Sequence, residues 1–157
     1  MKKTFFLLGI SSLALGACQK DSEPVPRADV RTSLLLAHHW KITAQTLTFN
    51  HDGKADVIET YAGTPACQRD DVTKFNSDKS LIYSEGATSC SPVTEPQMGS
   101  WFFNEDQTML TLEAQQFHGP FQVLDLTDKT LQIRHTYTYR QDNHDYAGVE
   151  DYTFTAL

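Results

Sequence analysis

Phe121-Gln122-Val123-Leu124-Asp125-Leu126 runs through Thr127-Asp128-Lys129 into Thr130-Leu131-Gln132-Ile133-Arg134-His135-Thr136-Tyr137-Thr138-Tyr139. In the second half Leu131, Ile133, His135, Tyr137 and Tyr139 share one parity, and polar residues take the other. Successive side chains of an extended chain point to opposite faces, so this is strand patterning, and the polar Asp128-Lys129 makes the pair a hairpin. The unit recurs upstream. Residues 99–103 and 109–113 flank Asn104-Glu105-Asp106, and residues 71–75 and 80–84 flank Asn76-Ser77-Asp78. A last strand, 151–156, follows a polar loop at 141–148.

Nearer the start, Trp40, Ile42 and Ala44 share one face, whereas Leu47 and Phe49 take the opposite parity, which predicts a β-bulge near Gln45. Asn50-His51-Asp52-Gly53 reads as a turn into a weaker strand at 55–61, and 63–69 reads as loop. Residues 31–39 predict one or two helical turns, with Thr32 or Ser33 as the cap. About nine short strands in sequential hairpins predict an all-β fold, a small antiparallel up-and-down β-barrel of about eight strands. Closure removes exposed edges, and an eight-stranded interior is just wide enough for side chains or one small ligand.

The N-terminal segment has its own logic. Lys2 and Lys3 precede an apolar run from Thr4 to Leu15 that is too short for an ordinary membrane span. Leu15-Gly16-Ala17-Cys18 follows and resembles the lipobox of bacterial lipoproteins. That resemblance implies a signal peptide over 1–17 and lipidation of Cys18, the first residue of the mature chain. Residues 18–30, acidic and carrying Pro24 and Pro26, read as a flexible tether, with the domain over 31–157. Gln19-Lys20-Asp21-Ser22-Glu23 looks like the acidic signal that sends such lipoproteins to the outer face of the outer membrane. Cell-surface exposure is therefore expected, with a periplasm-facing anchor as the alternative.

Removal of the first 17 residues leaves 140, enough for one domain, with 11 basic against 20 acidic side chains and a net charge of −9. Such a charge disfavours nucleic acid and anionic lipid surfaces as partners. Cys67 and Cys90, an even pair in an exported chain, predict a disulfide. A metal site is the rival reading, but no His or Cys lies at zinc-finger spacing from either.

A wider set of residues supports a family resemblance over about residues 34–154. An apolar turn runs into Trp40, and Cys67-Gln68-Arg69-Asp70-Asp71 leads to Phe75. Cys90, Trp101-Phe102-Phe103, Leu110-Thr111-Leu112 and Val123-Leu124-Asp125-Leu126-Thr127 follow before Leu131. Together these resemble the lipocalin-like lipoproteins of Bacteroidota. The chain departs from that pattern in having His38-His39 where the family tends to carry a glycine shortly before the first tryptophan. The resemblance implies a lipocalin-like barrel that binds a small hydrophobic molecule.

No catalytic constellation stands out, so no enzyme activity, cofactor or metal is expected. His38 and His39 are adjacent and diverge on strand or helix alike; His51, His118 and His144 fall in turns. The pairs Asp70-Asp71, Glu105-Asp106 and Glu150-Asp151 sit at turns or strand ends, where carboxylates satisfy backbone donors. Neither a nucleophile elbow nor a phosphate loop nor a calcium loop is present. Most strand aromatics are expected to be core. Phe103, His135, Tyr137 and Tyr139 are the candidate ligand-pocket residues. The second functional reading is a filled barrel that engages a protein or glycan partner through its loops 85–97 and 141–148.

Overall fold

The computed structural model describes residues 28–51, 54–90, 95–114 and 116–157. Several expectations fall outside them: the signal peptide, Cys18 and its lipid, nearly all of the tether, Asp52-Gly53, and residues 91–94 of the long loop. Within the described residues a helix, α1 (Ala28–Ala37), is followed by nine strands. These are β1 (His39–His51), β2 (Lys54–Glu59), β3 (Val72–Phe75), β4 (Ser80–Ser84), β5 (Gln97–Phe103), β6 (Met109–Ala114), β7 (Phe117–Leu126), β8 (Thr130–Gln141) and β9 (His144–Ala156). Two 3-10 turns, Tyr61–Gly63 and Ala66–Gln68, lie between β2 and β3. β3 to β9 form an antiparallel meander, and β1 pairs with β9 to close it into an eight-stranded barrel, with β2 as an extra strand.

Local turn chemistry sets the registers. Asn76-Ser77-Asp78-Lys79-Ser80 and Asn104-Glu105-Asp106-Gln107-Thr108 are one turn built twice. In each, the aspartate Oδ1 accepts the backbone N–H and hydroxyl of the Ser or Thr two residues on, at 2.9 and 2.7 Å for Asp78 and 3.1 and 2.6 Å for Asp106. Lys79 and Gln107 then take positive φ, 71° and 55°. Between β7 and β8, Thr127 Oγ1 accepts from the N–H groups of Lys129 and Thr130 at 3.2 and 3.0 Å.

The inward parity fills the barrel. Trp40, Phe75, Leu81, Trp101, Leu110, Leu112, Leu131, Ile133 and Phe154 are essentially fully buried. One end is plugged by α1, whose Leu35 is also fully buried and whose Leu35 carbonyl accepts the Trp40 Nε1–H at 2.9 Å. That bond satisfies one of the last four carbonyls of the helix, which have no partner inside it. Arg31 Nη1 donates to the Gln107 carbonyl at 2.6 Å and Gln107 Nε2 to Thr32 Oγ1 at 2.9 Å, tying the helix to the β5–β6 turn.

Four expectations are corrected. The helix starts at Ala28, so Thr32 and Ser33 are interior to it and not its cap. The bulge in β1 lies between Ile42 and Ala44, two residues before Gln45; beyond it Gln45, Leu47 and Phe49 continue the face begun by Trp40 and Ile42. β7 begins four residues earlier than Phe121. Residues 141–148 are not a loop: β8 and β9 continue through them to a tight turn at Asp142-Asn143, both with positive φ (50° and 62°) as a two-residue hairpin loop requires.

Candidate functional site

β1 changes partner along one edge. It pairs with β3 only at His39 and Trp40, and with β2 only from Thr46 to His51. Between these, residues 41–45 have no strand alongside; the Gln45 carbonyl instead accepts the Thr60 N–H at 2.9 Å and hydroxyl at 3.2 Å. The barrel wall parts there, and a cleft of about 340 Å³ opens at the end away from α1. Ile42 and Gln45 of β1, Tyr61, Thr64 and Gln68 of the β2–β3 connection, Tyr83 of β4, Gln116 and Phe117 at the start of β7, and Tyr152 of β9 line it.

The connection that walls the cleft is held at many points. Glu59 accepts the N–H groups of Tyr61 and Ala62 at 2.8 and 3.1 Å. Arg69 donates to the carbonyls of Thr64 and Ala62 at 2.8 and 2.9 Å, its guanidinium carbon 6.0 Å from the Tyr61 ring centroid. Cys67 is disulfide-bonded to Cys90, Cα to Cα 5.2 Å, which joins the second 3-10 turn to the loop after β4. Asp70 braces the same loop by accepting the Thr88 N–H and hydroxyl at 2.8 and 2.7 Å, bonds that hold its carboxyl below the ordinary range.

Carboxylates stand behind the tyrosines. Tyr83 donates its hydroxyl to Asp71 Oδ2, and Asp71 Oδ1 accepts the Gly86 N–H at 3.3 Å. Gln45 Nε2 donates to Glu150 Oε1 at 2.7 Å, and the Glu150 carboxylate stands near enough to the Tyr152 phenol to raise it. Burial first, then the neighbouring carboxylate, raises the Tyr83 and Tyr152 phenols well above their ordinary value, so both are neutral donors at neutral pH.

His135, Tyr137 and Tyr139 form a continuous row instead. Beyond Arg134, β8 pairs only with β9, so the upper halves of β8, β9, β1 and β2 project as one sheet. His135 stacks on Tyr137 with centroids 5.9 Å apart, Tyr137 lies 6.3 Å from Tyr139, and Tyr139 contacts Tyr146 at 5.6 Å and Phe49 at 5.5 Å. The His135 Nδ1–H donates to the Pro120 carbonyl at 3.2 Å. Phe103 is not in this row; it packs against Trp101 beside the turn that meets α1, at the plugged end. None of these four residues lines the cleft. Tyr83 and Tyr152 stand out in the sequence as strand aromatics, but Gln45, Tyr61, Thr64, Gln68, Gln116 and Phe117 carry no signal that separates them from loop and core.

Among the described residues no three His, Cys, Asp or Glu side chains are grouped as a metal site would need. No helix among them is long and apolar enough to cross a membrane. No protein-family model matches the chain, and no curated protein matches it.

Proposed function

We propose that this chain is a lipid-anchored outer-membrane binding protein, displayed at the cell surface, whose barrel holds one small molecule without transforming it. Leu15-Gly16-Ala17-Cys18 and the acidic residues after it support the anchor and its address. The observation that carries the binding reading is the cleft where β1 lacks a neighbour. Its size falls at the small end of ligand pockets, and its walls combine ring faces with a few fixed hydrogen-bonding groups. The barrel interior below is filled by Trp40, Trp101, Phe75 and Phe154, which limits the ligand to the mouth.

Native mass spectrometry of the full chain, purified in detergent from cells that make it, tests this. One retained small molecule per chain is expected, and Thr64→Trp, which fills the cleft from a position with no side-chain hydrogen bond to lose among the described residues, removes it. An empty native protein, or retention unchanged in T64W, overturns the assignment. A second reading, docking of a protein or glycan, is favoured by the row of Phe49, Tyr137, Tyr139 and Tyr146 on the projecting sheet, beside the exposed Ile58, whose partner Leu47 shares the face of Phe49. Under it, Tyr139→Ala abolishes partner capture and T64W has no effect.

A further inference from the structure

Carboxylates outnumber cations around the cleft, three against the single guanidinium of Arg69. Asp71 lies behind Tyr83, and Glu150 lies behind Gln45 and Tyr152. Glu85 follows Tyr83 by two residues, and its Oε2 is shut off from solvent with no hydrogen-bond partner. Among the described residues none of these three carboxylates forms an ion pair with Arg or Lys; the pairs present are His118–Glu113, Arg134–Asp151 and Arg140–Asp145. The nearest guanidinium in the cleft wall, Arg69, is bound to the Thr64 and Ala62 carbonyls. His135, paired with Glu150 across β8 and β9, gives its Nδ1–H to Pro120. A carboxylate oxygen shut off from water without a partner, as at Glu85, is costly, and the partly buried Glu150 and buried Asp71 have only neutral donors among the described residues, so the site favours added positive charge.

The walls meet the same demand in another form. Tyr61, Tyr83 and Tyr152 bring three rings to one cleft, and a tyrosine ring face attracts a cation, as Tyr61 already does with the Arg69 guanidinium on one side of it. The mature chain's net charge of −9 adds a long-range field of the same sign.

Resting on the binding reading above, we propose that the cleft takes an organic ammonium ion, an aromatic amine in its protonated form, with its charge toward Glu150 and Glu85 and its ring among Tyr61, Tyr83 and Tyr152. Fatty acids and other anions are excluded by the same carboxylates.

Calorimetric titration of the full chain in detergent with three probes of one shape tests the charge: phenethylammonium, 2-phenylethanol and phenylacetate. The ammonium is expected to bind about tenfold tighter than the alcohol, the factor a desolvated cation–π and carboxylate contact supplies, and phenylacetate not to bind. Glu150→Gln and Glu85→Gln should each weaken the ammonium about tenfold and leave the alcohol unchanged; the pair guards against one variant failing to fold. Equal binding of alcohol and ammonium, or binding of phenylacetate, overturns the charge assignment while the cleft stands as a binding site. Absence of heat from all three, with T64W indistinguishable from the parent, overturns the cleft itself.

Discussion

Tyr137 lies over Gly148, the residue paired with it across β8 and β9: a Cβ on Gly148 would come within 2.5 Å of the phenol ring. The glycine supplies the floor on which the ring rests, and from there the row continues to His135 on one side and Tyr139 on the other. Gly148→Ala is expected to push the ring off its seat and lower stability by about 1–2 kcal/mol. In a Tyr137→Ala background the same change should be neutral or stabilising, because the overlap is gone and alanine is the better strand residue. A double-mutant cycle by urea denaturation measures this, and additive effects would refute the coupling.

Gly99 presents a harder case. An added Cβ there would meet the Glu113 carbonyl oxygen at 2.4 Å and the Ala114 Cβ at 2.8 Å, and backbone cannot swing aside as a ring can. Gly99→Ala should cost about 2–3 kcal/mol through separation of β5 from β6. Unfolding midpoints compared with those of Gly63→Ala, where nothing lies within 4 Å, provide the contrast.

Reduction of Cys67–Cys90, whose partners are 23 residues apart, should lower stability by about 3 kcal/mol on the chain-entropy account. Because the bridge holds the cleft wall, ligand affinity should fall with it even where the barrel stays folded. Titration of the oxidised, denatured mature protein with a thiol reagent should find no free thiol from this pair.

Trp40→Phe keeps the ring in the core and removes the donor to the Leu35 carbonyl. An unpaired buried carbonyl is expected to cost about 1–3 kcal/mol and to loosen α1 selectively. Faster amide exchange in α1 than in β8 would confirm the selectivity; uniform acceleration would contradict it.

The buried phenols predict an alkaline limit. Tyr83 and Tyr152 ionise in the folded barrel well above the ordinary value of 10.0, raised first by burial and then by Asp71 and Glu150 respectively. The unfolded chain therefore releases these protons first, and the stability they contribute is present below pH 10 and lost as pH rises above it. Denaturation midpoints should fall from pH 10 upward, and Tyr83→Phe should flatten that fall. Ultraviolet titration should show two tyrosines that ionise only as the protein unfolds.

The hairpins were legible because their turns are local: Asn76 to Ser80 and Asn104 to Thr108 specify their own hydrogen bonds within five residues. Parity exposed the irregularity in β1 to within two residues. Gly119-Pro120 hid the first part of β7, where the chain pairs with β6 alone and Gly119 adopts a φ of 95°. The polar His144-Asp145 concealed the first part of β9, because both are exposed beside the turn and show no apolar alternation. The cleft was not legible at all. Its residues come from β1, a connection, β4, the start of β7 and β9, and only the missing neighbour of β1 brings them to one opening.

The helix that plugs the barrel also sets where the upstream chain is attached. Everything upstream of Ala28 joins the domain at the plugged end, while the cleft opens at the other. Under the proposed anchor on Cys18, the tether would reach the domain at its stopper and leave the mouth clear of the attachment point.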